Sequence, residues 1–410
     1  MEEYKIGIIG VGSRGSWLLK YTFLNHDVKV IAVCDKYEDR VESAAKMIEE
    51  AGQPTPFKTT DYHELLEVKG MDAVIIATSW AYHIPISIAA LEKGIPVGCE
   101  VGGAYSLEDC YKLIETCSRT KVPFSMVENV SYGKQELMVL KMVREGLFGE
   151  IIHCEGGYRH DLREEIGFGR ENRHYRFNEY LNRNRENYPT HELGPINNIL
   201  NITRGNRYVS LMSTASKSAG MHEFFLKKKG EEYDATNMVF KQGDVVTTLL
   251  KTEQGQLVRI TLETTLPRPY SRNLNVIGTK GSYCEENKSI FIDGEYDEGQ
   301  AWNWRPNWGN VDKYFEKYNS GLWEAYEKGG VDVGHGGIDS LCWIDFLYHV
   351  KHKLPMPTDV YDSVTMMAVS VLSEMSIKNG STWVDFPDFT DGKYKERKPW
   401  EIMDSVPWLR

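Results

Sequence analysis

Residues 4–35 constrain the fold more than any other stretch of the chain. An apolar run, YKIGIIG, leads into Gly10-Val11-Gly12-Ser13-Arg14-Gly15 and then into the helix-like SWLLKYTFL; a second apolar run, VKVIAVC, ends on Asp35. A GxGxxG pattern alone is weak. Placed between a buried strand and a helix, with an acid closing the next strand, it specifies a βαβ unit that holds a dinucleotide. Gly10 permits the tight turn, Gly12 lets the main chain approach a pyrophosphate, and Gly15 allows close helix–strand packing. The helix N-terminus offers free N–H groups and partial positive charge to phosphates. Asp35 suits the adenosine ribose hydroxyls and repels a 2′-phosphate, which favours NAD over NADP. Arg14 points the other way, and Asp35 argues against it.

At 410 residues the chain is too long for one ordinary domain. Further buried-strand runs at 71–78 and 95–100 alternate with helical stretches such as 36–51 and 83–94, which predicts a parallel sheet. Trp80 and His83 fall just past one strand end, and Glu100 and Val101 at the next, where ligands bind in open α/β sheets. A pair that only packs at a helix start is the alternative for Trp80 and His83. The pattern changes near residue 125. An amphipathic helix is predicted over 131–146, a strand over 150–160, a long polar loop over 161–190 and a helix after Pro189. Strand-like runs from 207 to about 300 read as an antiparallel meander, and 363–379 as a late helix ended by Gly380. The expected organisation is a dinucleotide-binding domain over 1–125 and a substrate-binding, oligomerising α/β domain over 126–410, with the late helix packing back on the first.

Composition excludes several classes. Asp and Glu outnumber Lys and Arg by 59 to 48, which speaks against nucleic acid as a partner. No apolar run reaches the roughly 18 residues of a membrane helix. The N-terminus is acidic and has no basic n-region, so a cytoplasmic protein is expected. The seven cysteines are odd in number and form no CxxC, which predicts reduced thiols rather than disulfides. The eleven histidines show no HExxH and no zinc spacing, so no metal is expected. The 23 tyrosines and 10 tryptophans include candidates for stacking on sugar faces, although core packing accounts for most.

IGIIGVGSRG, the glutamate closing IPVGCE, and NVIGTKGSYCEE together resemble the Gfo/Idh/MocA oxidoreductases over nearly the whole chain. The resemblance implies an α/β protein: an N-terminal Rossmann domain with a doubly wound parallel sheet, and a C-terminal α/β domain with a large, mostly antiparallel open sheet. The usual Glu-Lys-Pro signature reads Glu100-Val101-Gly102 here. The lysine that assists hydroxyl deprotonation in the dehydrogenases is therefore absent. MVENVSYG (126–133), MVREGLFGEIIHCEGGYRHDLR (142–163), RNRENYPTHELGP (183–195), LPRPYSR (266–272) and GHGGID (334–339) are similar to a narrower group, glycoside hydrolase family 109, the α-N-acetylgalactosaminidases. The likeness implies NAD contacts from Ser13, Arg14, Asp35, Trp80, His83, Glu100, Val101 and Asn129. It implies sugar contacts from Tyr158, Arg176, Tyr188, Pro189, Thr190, His191 and Tyr270, and a homodimer or tetramer. Glu192 departs from the group's YPTHGLGP block, and a carboxylate beside His191 is expected to alter sugar preference or aglycone fit.

Ordinary glycosidases set two carboxylates across the bond they cut, and NAD-dependent enzymes are exceptions. In that chemistry C3 of the sugar is oxidised transiently, the ketone acidifies C2, and elimination expels the C1 group. Water then adds, and the hydride returns to C3. His191 and Tyr270 are candidates to take the C3 hydroxyl proton. Tyr158 is the candidate base at C2, activated by neighbouring charge. Arg176 and Tyr188 are expected to bind the sugar and offset negative charge. Glu128 is a candidate to orient water or a hydroxyl. His335 and Asp339 read as a cap or hydrogen-bonded pair rather than as catalysts. The competing expectations are an NAD-dependent sugar dehydrogenase with net hydride transfer and a non-catalytic NAD-dependent sensor.

Overall fold

Strand β1, Tyr4–Ile9, is buried at every position except Lys5, because both faces of a parallel sheet are covered and its strands read as continuous apolar runs. In the computed structural model, which describes residues 3–295, 305–329 and 335–401, it is joined by β2 (Val28–Cys34), β3 (Phe57–Thr59), β4 (Ala73–Ile76), β5 (Val97–Cys99) and β6 (Phe124–Met126). All neighbouring strands are parallel, in the order β3-β2-β1-β4-β5-β6. The order reverses between β1 and β4, which opens a crevice beyond their C-terminal ends.

The described residues pack as two compact units. The first takes residues up to Leu137, Ser320–Thr365 and the chain from Trp400; the second is Met138–Asn319 with Met366–Pro399. The sequence suggests one cut near residue 125, whereas the first unit includes this later stretch as well. Its helix Ile338–His352 sets Trp343 and Phe346 against β5, where a Cβ on Gly98 would meet both rings at 2.7 Å.

The second unit is built on β7 (Ile151–Arg159), β8 (Tyr208–Ala215), β9 (Val245–Thr252), β10 (Leu257–Glu263), β11 (Asn275–Gly278), β12 (Gly281–Cys284), β13 (Ser289–Ile292) and β14 (Val384–Asp385). Their order is β13-β12-β11-β7-β10-β9-β8-β14, and only β7 and β10 run parallel. The expected meander is thus two antiparallel meanders flanking β7, with a helix, Gly220–Lys229, inserted after β8. Alternate residues bury one face: Cys154, Gly156 and Tyr158 on β7, Val258, Ile260 and Leu262 on β10. The helix Pro189–Leu200 covers that face. Pro189 takes the first helical position, where its missing N–H costs nothing, and Asn201 ends the helix in the left-handed region at φ 51°.

The stretch 161–190 is not the long loop expected. It holds two short helices, Arg163–Gly167 and Arg176–Asn182, which bury Ile166, Phe177 and Tyr180. The surrounding Arg and Asn residues hide these few apolar anchors from a reading of composition. The late helix spans Val360–Lys378. All seven cysteines are free thiols. Among the described residues no helix is long and apolar enough to cross a membrane, and no group of His, Cys, Asp and Glu has the arrangement of a metal site.

Gly10, at φ 90°, and Gly15 approach each other too closely for a side chain: a Cβ on Gly15 would run into the Gly10 carbonyl oxygen. Gly15→Ala is expected to destabilise the chain by roughly 1–3 kcal/mol through overpacking, read as a lowered midpoint of denaturant unfolding at unchanged slope.

Candidate active site

The first unit carries the dinucleotide cradle. The helix Ser13–Tyr21 starts directly at the glycine loop, and no side chain caps its first turn, which leaves main-chain N–H groups for an anion. Asp35 is buried at the end of β2. Its Oδ2 accepts the Val11 N–H at 3.0 Å and its Oδ1 the Tyr37 N–H at 3.1 Å. Each oxygen keeps a lone pair for a ribose hydroxyl.

Trp80 opens the helix Trp80–Glu92, and its indole lies where a side chain at Gly102 would be, with Nε1 2.9 Å from the Cβ position. The altered Glu-Val-Gly signature is thus matched by Trp80. His83 is buried, and its Nε2 lies 3.0 Å from the Thr78 carbonyl oxygen. Burial lowers its pKa to about 4, against a smaller upward pull from that hydrogen bond. The ring is therefore neutral at pH 7. The Thr78 bond assigns the proton to Nε2, and Nδ1 is left as a buried acceptor with no partner.

Arg14 is not a free cation aimed at a 2′-phosphate. Its Nε donates to Glu100 Oε1 at 2.8 Å, and its two terminal nitrogens donate to Asp339 at 2.9 and 2.8 Å. Asn129 Nδ2 donates to the same Asp339 at 2.8 Å, and His335 Nδ1 lies 2.7 Å from it. Burial alone would raise the Asp339 pKa. The hydrogen bonds from Arg14 and His335, with the charge of Arg14, outweigh burial and hold the carboxyl well below the usual range. Asn129 Oδ1 is buried and unpartnered. Glu100 Oε2 accepts the Val101 N–H at 3.2 Å. The uncapped helix start, the Asp35 carboxylate and the orphaned acceptors on Asn129 and His83 fit a dinucleotide. Glu128 also belongs to this unit, where its Oε1 accepts the Val130 N–H at 2.7 Å and caps a short helical turn.

In the second unit Tyr158, near the end of β7, gathers most of the residues expected to hold sugar. Its ring centroid lies 4.3 Å from that of Tyr188, 5.6 Å from His191 and 6.2 Å from Tyr270. The Tyr188 hydroxyl is 3.5 Å from His191 Nε2. Arg176 lies over the Tyr188 ring at 5.3 Å and donates to Glu165 at 2.7 Å. Tyr270 is half-exposed on its turn, and Arg272 donates to its hydroxyl at 3.3 Å. Pro189 and Thr190 are buried, and Thr190 Oγ1 has no partner.

Burial pushes the Tyr158 phenol up to about 12, and the charge and hydrogen bond of Arg176 pull it down only in part. The activation by neighbouring charge expected from the sequence is present but loses to desolvation. His160, which the sequence reading passed over, lies with Nδ1 3.4 Å from the Tyr158 hydroxyl. Burial and then the Arg176 charge lower its pKa, so it is a neutral acceptor. The signal was available: in a strand, residues two apart share a face. Glu165 and His174 were missed as well; the Arg176 charge is the main cause of a lowered Glu165 pKa. Glu192 does not present its carboxylate as an open group beside His191. It is buried, and its Oε1 accepts the Tyr158 N–H at 2.9 Å.

Comparison with known proteins agrees with both halves. Residues 4–128 match the oxidoreductase family with an NAD-binding Rossmann fold, and residues 132–396 match the glycosyl hydrolase 109 C-terminal domain. A glycosyl hydrolase family 109 protein of Stenotrophomonas maltophilia is 39% identical over 97% of this chain and 91% of its own length. An alpha-N-acetylgalactosaminidase of Tannerella forsythia is 37% identical over 96% of this chain and 88% of its own. Among solved structures, a levoglucosan dehydrogenase in complex with NADH and L-sorbose shares the fold at a TM-score of 0.68 and 15% identity, covering 95% of this chain and all of that one. With an NAD-binding Rossmann fold followed by that hydrolase domain, the chain belongs to glycoside hydrolase family 109.

Proposed function

We propose that the protein is an NAD-dependent glycosidase that cleaves N-acetylgalactosaminides or related glycosides without net oxidation. The observation that carries this reading is the Tyr158–Tyr188–His191–Arg176 cluster, in a chain whose other unit has a dinucleotide cradle and no Glu-Lys-Pro lysine. Bound NAD⁺ supplies reversible hydride exchange at C3 of the sugar.

The chain's own groups move the protons. His191, with Tyr270 assisting, takes the C3 hydroxyl proton as that carbon becomes a ketone and returns it when the alcohol is restored. Tyr158 takes the C2 proton as its own phenolic proton passes to His160 Nδ1. A phenol with a pKa of about 12 needs such a neutral acceptor in order to act as a base near neutral pH. The Arg176 guanidinium offsets the enolate charge. The C1 group leaves with the bonding electrons and a proton, water adds hydroxyl to C1 and hydrogen to C2, and the balance is hydrolysis. The reading includes a dimer or tetramer, for which the half-exposed Val245, Thr247, Leu249 and Leu257 on the open face of the second sheet are the natural shared surface.

Incubation with a panel of p-nitrophenyl α- and β-glycosides, N-acetylgalactosaminide included, is expected to release nitrophenol with no accumulation of nicotinamide absorbance, and with solvent deuterium at C2 of the product. Accumulating NADH would make the protein a dehydrogenase; absence of C2 exchange would rule out elimination. His191→Ala is expected to abolish turnover with NAD still bound. His160→Gln is expected to slow C2 exchange by roughly 10²–10⁴. It is also expected to remove an acid limb that lies below the ordinary histidine pKa of about 6.5, because a lowered pKa delays protonation to more acidic pH. Asp35→Ala is expected to raise NADP affinity relative to NAD by about tenfold or more, measured by fluorescence titration.

A further inference from the structure

The GHGGID stretch takes no part in the chemistry above, yet its Asp339 is the hub of the dinucleotide-binding unit. The residue has no exposed surface. Its Oδ1 accepts from Arg14 Nη2 and from Asn129 Nδ2, each at 2.8 Å. Its Oδ2 accepts from Arg14 Nη1 at 2.9 Å and from His335 Nδ1 at 2.7 Å. Four donors thus fill the four lone-pair sites of one carboxylate. The chain arrives there through three successive residues in the left-handed region, His335 at φ 48°, Gly336 at φ 64° and Gly337 at φ 95°, directly before the helix Ile338–His352. Such a conformation is uncommon outside glycine, and it persists where the surroundings impose it; here the His335 ring is tied to the acid one helical turn ahead.

The donors come from separate strand ends of one sheet. Arg14 follows the glycine loop after β1, Glu100 follows β5 and also binds Arg14, and Asn129 lies just past β6. In the order β3-β2-β1-β4-β5-β6, Asp35 ends β2 on one side of the glycine loop, and Glu100 and Asn129 stand on the other. A dinucleotide with its adenosine ribose at Asp35 and its pyrophosphate at the loop therefore sends its nicotinamide half toward β5 and β6. An amide can present either its oxygen or its N–H₂ group. The Asp339 carboxylate only accepts, so Asn129 must turn its N–H₂ to the acid and keep Oδ1 for another partner. That oxygen is buried and has no hydrogen-bond partner. A donor would satisfy it, and the nicotinamide half carries donors in its ribose hydroxyls and its carboxamide N–H₂.

We propose that Asp339 is a positioning residue for the nicotinamide half of the cofactor: it holds the Asn129 amide in one orientation, so that the amide oxygen accepts from a hydroxyl or amide donor of the bound dinucleotide. The same two carboxylate oxygens keep Arg14 at the glycine loop. The inference concerns cofactor binding and does not rest on the glycosidase reading. Burial works against the charge on Asp339, but the bonds from Arg14 and His335 overcome it, so the anchor is an ionised acceptor at neutral pH.

Isothermal titration of the full chain, stripped of nucleotide with charcoal, tests this with two probes, NAD and ADP. ADP keeps the adenosine and the two phosphates but has no nicotinamide half. Asp339→Ala is expected to weaken NAD by about tenfold or more. ADP is expected to bind as to the wild type or more tightly, because Arg14 then keeps only one of its two acids. Asn129→Ala is expected to lower the NAD-to-ADP affinity ratio to the same degree, and the double variant to lower it by less than about twofold beyond either single change, since the acid acts through the amide. Asp339→Asn offers the amide a neutral acceptor in place of a charged one, and its ratio is expected to fall between those of the wild type and Asp339→Ala. A general loosening of the cradle would weaken both ligands alike. A ratio unchanged from the wild type in Asp339→Ala, or in Asp339→Asn if the alanine variant does not fold, would overturn the proposal, as would additive losses in the double variant.

Discussion

The second unit turns on how closely the helix Pro189–Leu200 approaches β7. A Cβ on Gly156 would lie 2.7 Å from the Glu192 carbonyl oxygen and 3.1 Å from Ile196, so only a residue without a side chain lets the helix settle there. This packing brings the start of the helix to the end of the strand. Tyr188 and His191 then meet Tyr158, and the Glu192 carboxyl reaches the Tyr158 N–H. The close approach that brings these rings together thus requires the absence of a side chain at Gly156. Tyr158 and His191 stand on regular elements, and a site built on such elements is more accurately placed than one on loops.

The first unit solves a different problem, that of a cation beside a phosphate-binding loop. Arg14 occupies a position from which a free guanidinium would attract a second phosphate. Glu100 and Asp339 neutralise it with charge-assisted, partly buried bonds, which are stronger than exposed pairs. Asp35 keeps its carboxylate beside the loop. Two acids thus restrain one base in the same unit that carries the acid at the end of β2.

Much of this was legible in the sequence. The β1–loop–helix unit and Asp35 were readable because glycines and strand ends leave local signatures, whereas Tyr158, Tyr188, His191 and Arg176 came from the family resemblance of the blocks that hold them. The unread parts depend on side chains meeting across long separations. Asp339 reads as a helix cap or as half of a hydrogen-bonded pair with His335; that pair is present, at 2.7 Å, but the bonds to Arg14 and Asn129 have no local signature. Glu192 looks like a substituent of the sugar site because it adjoins His191, but the helical turn carries it to the main chain of β7. His160 lies inside the strand expected over 150–160 and two positions from Tyr158, yet only the approach of its ring to the Tyr158 hydroxyl in the folded chain marks it as a partner. The helices within 161–190 were hidden by polar composition, since Phe177 and Tyr180 supply most of the apolar signal in Arg176–Asn182.

The bond from Arg14 to Asp339 bridges 325 positions of sequence. While the chain emerges from the ribosome, its glycine loop and first strands are made early, but the acid that orders the loop's arginine is among the last quarter to appear. A nascent chain therefore has a nucleotide-binding topology long before it has a finished nucleotide-binding surface. Contacts of such high sequence separation form slowly, so the arginine of the loop is ordered only once the chain around Asp339 has folded onto the first strands.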